Sequence, residues 1–460
     1  MKRSMDMLHG KIATKLLTFA FPLALTGILQ QLFNAADVAV IGRFVGKNAM
    51  AAVGSNASLV SLMVNLIVGI SLGANVVIAN LTGKGDRDGV RRGVHTAVLF
   101  SAIAGVAAAA VGLLLSTPLL RLLDVPDEVM EMSLKYLRIY VAGLPFILIY
   151  NTEAAVFRSQ GDTRTPLICL LTAGIVNVGL NVFFILVVGM TTDGVALATL
   201  LSNLLSAVML FVLLHHSHLD IRLRFRDFRM DGALLKEMLR IGMPAGLQGA
   251  VFSISNVCIQ AAINGLGADI MAASAAGFNI EALAFYILNS FGQAGTTFVS
   301  QNYGAGNLDR CRRITRVDIL LGVSLSVVFS LLLFVFCKPL LALFNSDPVV
   351  YRYGRIRLAY ILLFEGINTL NELLSGAMRG FGYSLVPATV TLAGICGTRI
   401  IWVFGIYPMF KTFEMLMACY PISWTVTLII LTLFYLRFRK TVYGKAAHTA
   451  PQPIATEETK

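Results

Sequence analysis

Residues 93–117 read GVHTAVLFSAIAGVAAAAVGLLLST, a run of 25 residues without Asp, Glu, Lys or Arg. An α-helix needs about 20 apolar residues to cross the hydrocarbon core of a bilayer, so this run predicts a membrane-spanning helix. Similar runs recur from residue 16 to residue 437, and the 460-residue chain is 57% hydrophobic and only 13% charged. This composition excludes an ordinary soluble globule and predicts an all-α integral membrane protein.

The apolar runs predict twelve transmembrane helices in two lobes of six. We expect a first lobe at 1–216, a solvated basic cytoplasmic linker at 217–236, a second lobe at 237–440 and a disordered cytoplasmic tail at 441–460. The predicted helices are 15–43, 51–80, 93–117, 131–157, 164–189, 194–214, 237–264, 271–300, 314–337, 351–378, 385–408 and 413–436.

The net charge of +12 is explained by membrane topology. Most Lys and Arg residues flank the predicted spans on the side that carries the N-terminus, which predicts a multi-pass inner-membrane protein with both termini in the cytoplasm. These short patches differ from the continuous basic stripe of a nucleic-acid-binding protein, so no nucleic-acid partner is expected. Arg399 is the only basic residue that the sequence places deep in the membrane.

The two halves repeat each other at a nearly constant spacing. Because each repeat holds an even number of spans, the halves are predicted to be parallel, related by an axis along the membrane normal, with a cavity between them. Such halves can rock to expose the cavity to each side in turn. The matches are Pro22 with Pro244, Asn34 with Asn256 and Asn80 with Asn302 at 222 residues, and Arg158, Gly161 and Pro166 with Arg379, Gly382 and Pro387 at 221.

Asp37 is the strongest candidate for a coupling residue. An intramembrane carboxylate costs about 2.5 to 3.5 kcal/mol on insertion scales and is a functional candidate by default. Gln30, Asn34 and Asp37 share one stripe of helix 1. Asn177 and Asn181 of helix 5 and Thr199 of helix 6 supply neutral oxygens that would complete a site for H⁺ or Na⁺. Helix packing alone would also explain the asparagines.

The second half adds further polar residues inside predicted spans. We expect Asn256, Gln260, Asn279 and Glu281 to line the substrate cavity together with Gln30 and Asn34. Glu365, Glu372 and Arg399 form a predicted charge network, in which Arg399 pairs with one of the acids. Glu153, close to Arg158, is interpreted as a solvated or paired boundary residue.

Motifs of enzymes and metal sites are weak. Gly69-Ile-Ser-Leu-Gly73 matches GxSxG but lies inside an apolar helix, where glycine-mediated packing is the better interpretation. The scattered cysteines and histidines show no metal-ligand spacing, so neither a metal nor an organic cofactor is expected. Without a nucleotide-binding motif, transport must be driven by an ion gradient or run downhill.

The sequence resembles the multidrug and toxic compound extrusion (MATE) family, and within it the DinF-like branch. The resemblance covers nearly the whole chain and is carried by Asn34-Ala-Ala-Asp37 with Ile41-Gly-Arg43 and Ala51-Ala-Val-Gly54, by Arg158-Ser-Gln-Gly-Asp-Thr163 with Pro166, and by Gln301-Asn-Tyr-Gly-Ala-Gly306 with Arg310.

The resemblance implies two V-shaped six-helix lobes that export organic cations or amphiphiles against inward flow of H⁺ or Na⁺. It further implies coupling at Asp37 with Asn177, and an acidic position at Glu281. Many DinF-like members carry Asp where this chain has Asn181, which leaves the first-half site less anionic.

Two rival functions remain open. A lipid-linked saccharide flippase of the same superfamily would share the architecture but favours a cationic cavity. A passive channel would show a ring of similar side chains and needs no rocking halves. We expect a monomer in membrane lipid that exports small organic cations or amphiphiles.

Overall fold

The computed structural model describes residues 5–123, 125–345 and 347–449, with only the backbone at 47, 225 and 444–449. In those ranges ten helices are long and apolar enough to cross a membrane, and one pair bent by 43° makes an eleventh. The expected multi-pass, all-α membrane fold is therefore confirmed.

The first half matches the six predicted spans, with the fourth one broken. Gly143 and Pro145 lie at the break, where proline lacks an N–H donor and restricts the residue before it. The helices are α1 (Ile12–Phe44), α2 (Lys47–Lys84), α3 (Arg87–Leu122), α4 (Asp127–Ala142), α5 (Leu144–Ser159), α6 (Arg164–Leu186) and α7 (Thr192–His215).

The second half repeats this order with more interruptions. Two π-helical segments, Leu392–Gly397 and Trp402–Ile406, interrupt a single span of residues 385–410. The helices are α8 (Gly232–Asn264), α9 (Ala268–Gly304), α10 (Leu308–Val335), α11 (Cys337–Ala342), α12 (Pro348–Leu362), α13 (Glu365–Gly380), α14 (Leu385–Thr391), α15 (Thr398–Ile401), α16 (Tyr407–Phe410), α17 (Phe413–Met417) and α18 (Cys419–Thr449).

The predicted tenth span, 351–378, is the segment that separates twelve predicted spans from the ten or eleven counted by length and composition. It consists of α12 and α13 and is absent from that count in the described chain. Its charged side chains, among them Arg357, Glu365 and Glu372, lower its hydropathy. The break between α12 and α13 mirrors the break between α4 and α5.

The linker and the tail differ from the predicted boundaries. Asp231 caps α8 by accepting hydrogen bonds from the N–H groups of Ala233 and Leu234, so the helix begins earlier than predicted. Ile221 and Leu223 are fully buried, so the linker is packed against the protein and is only partly solvated. Residues 441–449 continue α18 where disorder was predicted, and 450–460 lie outside the described residues.

Glycines bring the two halves into backbone contact along a line that we call the glycine seam. It comprises Gly69 and Gly73 of α2 with Gly242 and Gly246 of α8. A Cβ atom on Gly69 would lie 2.1 Å from Gly246 Cα, and one on Gly73 would lie 2.1 Å from the Met238 carbonyl oxygen. Only glycine permits helices to approach so closely.

The seam continues to the end of the bundle where α1 begins, which we call the proximal end. There Ser300 donates to the Val76 carbonyl over 2.6 Å, and Gln301 donates to the Ser159 carbonyl over 3.3 Å. A Cβ atom on Gly83 would collide with the Gln301 carbonyl. Both halves are therefore held together at this end.

Residues 5–11 cover the proximal end and contact both halves. Met7 is fully buried, and its carbonyl accepts hydrogen bonds from Asn302 Nδ2 at 3.1 Å and Arg310 Nε at 3.3 Å. Arg310 Nη2 also donates to the carbonyls of His9 and Gly10, at 3.0 Å each. Met5 packs on Gly161 of the first half, so the segment bridges the two halves.

Candidate functional site

Asp37 lies in a small polar cluster inside the first half, which we call the acidic centre: Asp37, Asn177, Asn181 and Thr199. Asp37 is only 9% exposed. Its carboxylate accepts a hydrogen bond from Asn181 Nδ2 at 2.6 Å and one from Thr199 Oγ1 at 3.4 Å. Asn181 also donates to Asn177 Oδ1 at 3.2 Å. The structure thus brings all four predicted residues together.

Neutral groups alone hold this carboxylate. In the described part of the chain no Lys or Arg forms an ion pair with Asp37, and Asn181 Oδ1 is buried without a hydrogen-bond partner. An anionic carboxylate surrounded by spare oxygen acceptors is a site that a proton or a hard cation would complete. The geometry therefore suits binding of H⁺ or Na⁺.

Three further residues complete the surroundings of the acidic centre. Ser202 Oγ lies 3.4 Å from Asn177 Nδ2. The rings of Tyr136 and Tyr140 stack with centroids 6.1 Å apart, and both phenols interact electrostatically with Asp37. Sequence reasoning missed all three; the i, i+3 spacing of Ser202 and Thr199 was the signal that could have found the serine.

Gln30 and Asn34 do not join Asp37 in the cluster. Both are exposed, because they lie on the outer surface of α1. Their neighbour Gln31 instead links the halves, donating to Asn279 Oδ1 at 3.4 Å and accepting from the Tyr286 hydroxyl at 3.3 Å. Asn279 thus lies between the halves, whereas the Gln30 stripe was predicted to reach it.

Glu281 forms a buried bidentate ion pair with Arg357. Arg357 Nη2 and Nε donate to the carboxylate at 2.7 and 3.0 Å, and the arginine side chain is almost fully buried. Glu281 lies 13 residues into α9, or roughly 20 Å along the helix axis. Arg399 is therefore not the only deep basic residue, as was predicted; Arg357 was wrongly placed at the membrane boundary because its partner is distant in sequence.

Arg399 lies in a second cluster, the arginine centre: Asn256, Arg399, Tyr420 and Ser423. Arg399 is 1% exposed. Its Nη1 donates to Asn256 Oδ1 at 2.9 Å and its Nε to Ser423 Oγ at 3.3 Å, while Nη2 is buried without a partner. The guanidinium carbon lies 4.4 Å from the centroid of the Tyr420 ring.

The predicted pairing of Arg399 with Glu365 or Glu372 is wrong. Glu372 pairs with Arg379 at 2.8 Å, one helix turn and a half away on α13. Glu365 is buried and accepts a hydrogen bond from Asn368 Nδ2 at 3.2 Å. Arg399 faces α8 and α18 instead, because it lies on a different side of its span.

Gln260 of the predicted cavity lies on the same line of α8 as Asn256. It is exposed and donates to Asn264 Oδ1 at 2.9 Å. Phe252, Asn256, Gln260 and Asn264 follow one another at i, i+4, so they form a continuous stripe. The stripe leads from exposed amides to the arginine centre.

Two buried acids differ from expectation or escaped it. Glu153 is fully buried and neither carboxylate oxygen has a partner among the described residues, so its interpretation as a solvated or paired residue is wrong. Asp318 of α10 is buried against Gly295 of α9 and was not predicted. Both lie near the proximal half of their helices, where the glycines of neighbouring helices leave room.

Comparison with known proteins identifies the family. The MatE family model matches residues 22–183 and again residues 244–404. The two matches start 222 residues apart and end 221 apart, which confirms the internal repeat and its register. Together they cover more than half of the chain.

Similar proteins of known name include transporters from several bacteria. The probable multidrug resistance protein YoeA of Bacillus subtilis (strain 168) is 28% identical, over 91% of this chain and 92% of the relative. The probable multidrug resistance protein NorM of Thermotoga maritima is 28% identical, over 85% and 84%. An FAD transporter of Shewanella oneidensis is 26% identical, over 77% and 79%.

Solved structures share the fold. A MATE in complex with MaL6 has a TM-score of 0.88 and 21% identity, over 97% of this chain and all of that chain. An outward-facing multidrug resistance MATE transporter of the MOP superfamily has a TM-score of 0.87 and 21% identity, over 97% and 99%. The repeated family match, supported by these relatives and by the shared fold, shows that the chain belongs to the MatE family of transporters.

Proposed function

We propose that this protein is a secondary active exporter of cationic or amphipathic small molecules, coupled to inward flow of H⁺ or Na⁺. The acidic centre carries the proposal, because it holds a buried carboxylate without a cationic partner. By contrast, the carboxylates of Glu281 and Glu372 are neutralised by arginines. Relatives named as multidrug resistance proteins support the same substrate class.

Alternating access follows from the contacts between the halves. The glycine seam and residues 5–11 hold the proximal end closed. We place this end in the cytoplasm of the inner membrane, because the basic residues flank it. Ion binding at Asp37 and substrate binding between the halves would favour opposite states, so each would be released where the other loads. The transporter is proposed to work as a monomer.

The test is uptake of ethidium into everted membrane vesicles, with proton and sodium gradients imposed and collapsed separately. The wild type should accumulate ethidium with one gradient and lose accumulation when that gradient is collapsed. Asp37→Asn should remove the gradient dependence, because the amide cannot release a proton and binds cations weakly. Glu128→Gln, at an exposed acid, is the matched control and should behave as wild type. Unchanged coupling in the Asp37 variant would refute the assignment.

A lipid-linked saccharide flippase is the second candidate, favoured by the buried arginines of the second half. Its substrate carries phosphate, and one relative is named for FAD, which also does. Failure of the wild type to move any organic cation, together with stimulated translocation of a lipid-linked saccharide in proteoliposomes, would favour the flippase.

A further inference from the structure

The internal repeat gives each residue of the acidic centre an equivalent in the second half. Ile259 lies 222 residues after Asp37, and Arg399 lies 222 after Asn177. Val403 lies 222 after Asn181, while Tyr420 and Ser423 lie 221 after Thr199 and Ser202. The change of register between the sets needs a structural cause.

The π-helical segment Leu392–Gly397 supplies that cause. Pro166 and Pro387 precede it at a spacing of 221, and Asn177 and Arg399 follow it at 222. A π segment accommodates one extra residue inside a helix, so it accounts for the one-residue step. Such segments often occur at functional sites, and this one precedes Arg399 by two residues.

Contacts confirm the equivalence independently of the numbering. Asn177 donates toward Thr199 and Ser202, which are three residues apart on α7. Arg399 lies over Tyr420 and donates to Ser423, which are three residues apart on α18. The equivalents of Asp37, Asn181 and Thr199 also cluster: Ile259, Val403 and Tyr420 belong to one hydrophobic core.

The two centres therefore have opposite polarity. The first half has a carboxylate and neutral amides, whereas the second replaces the carboxylate by Ile259 and an amide by the guanidinium of Arg399. No Asp or Glu forms an ion pair with Arg399 in the described ranges. A buried charge with neutral partners alone is unfavourable, and one of its donors, Nη2, has no partner at all.

We propose that the arginine centre binds the carboxylate or phosphate group of an amphipathic substrate. The anion takes the place of Asn256 Oδ1 on Nη1 and also engages Nη2, which yields the bidentate geometry that arginine favours. Gln260 and Asn264 mark the polar approach along α8. The aromatic rings of Phe252 and Tyr420, each within 5.0 Å of the guanidinium carbon, would pack against the apolar part of the substrate.

This inference rests on the proposed transport function only for the identity of the anion; binding itself is measured without a gradient. The chain contains two tryptophans, Trp402 and Trp424, and each lies within three residues of Arg399 or Ser423. Tryptophan emission of the purified full-length protein therefore reports this centre. Pyrenebutyrate absorbs at the emission wavelengths of tryptophan and should quench it saturably. Its methyl ester and the matching pyrene ammonium should bind at least about tenfold more weakly, or about 1.4 kcal/mol.

Two variants link the anion preference to Arg399. Arg399→Gln removes the charge, and Ile259→Asp supplies an internal carboxylate like that of Asp37; both should abolish the preference for acid over ester. Arg355→Gln makes the same change at an exposed arginine of α12 and should keep it. Equal binding of acid and ester by the wild type, or a preference that survives in Arg399→Gln, would overturn the proposal.

Transport of the same probes distinguishes a substrate from a resident anion. Vesicles that accumulate both ethidium and pyrenebutyrate, with loss of the latter in Arg399→Gln, support the assignment. Accumulation of ethidium alone, with chloride or phosphatidylglycerol displacing bound pyrenebutyrate, identifies a resident anion and overturns the substrate assignment. If neither probe is transported while the acid preference persists, the proposed efflux function fails and the anion site stands.

Discussion

Gly69→Ala should shift the equilibrium away from the state that is closed at the proximal end. A Cβ atom at Gly69 would lie 2.1 Å from both Cα and N of Gly246, and ordinary contact begins at 3.4 Å. The helices must therefore separate by about 1.3 Å, since both partners are backbone and no side chain can rotate away. Overpacking of this kind costs about 1 to 3 kcal/mol. If only the closed state contains the contact, the population ratio changes by about 5- to 150-fold.

The assay is double electron–electron resonance between spin labels at Lys84→Cys and Asn307→Cys, exposed positions of α2 and of the turn before α10. Five of the six native cysteines are buried, which limits background labelling. Gly69→Ala should lengthen the distance between the labels, whereas Gly54→Ala, with no atom within 4 Å of its added Cβ, should not. Identical distance distributions in the two variants would refute the view that the seam selects the closed state.

Other parts of the structure make independent predictions. Glu281→Gln leaves Arg357 buried without a counter-ion, which should lower the free energy of unfolding by about 3 to 5 kcal/mol and lower Tm; Glu131→Gln, in an exposed pair, should change it by under about 1 kcal/mol. A small effect at both positions would contradict the burial of that pair. Arg310→Ala removes the donor to three carbonyls of residues 5–11, so amide hydrogen exchange there should accelerate at least about tenfold by mass spectrometry, and Arg310→Lys should restore part of the protection. Unchanged exchange would show that the segment is held by other contacts.

Much of the acidic centre could be predicted from sequence. Asp37 is an acid inside an apolar run, and Asn177 and Asn181 share one helical face, so local spacing and the cost of burial were sufficient. Tyr136 and Tyr140 were missed because aromatic residues near a predicted helix end carry no signal of their own. Their role depends on how α4 packs, which only the folded chain shows.

The second half was harder to predict for a physical reason. Arg399 binds Asn256, 143 residues away, and Arg357 binds Glu281, 76 residues away. Nothing in local periodicity distinguishes an arginine that pairs with an acid from one that binds an amide. The π-helical segments also escape sequence patterns, because one extra residue in a helix leaves hydropathy unchanged while it rotates every later side chain by about 100°.

The contacts of residues 5–11 also determine the order in which the chain can be completed. These residues leave the ribosome first, yet their partners Asn302 and Arg310 are synthesised about 300 residues later. The segment must therefore wait undocked until most of the polypeptide is inserted, and its docking reports that both repeats have assembled. A tag fused to the N-terminus would sit at this last junction, so the opposite terminus is the safer place for one.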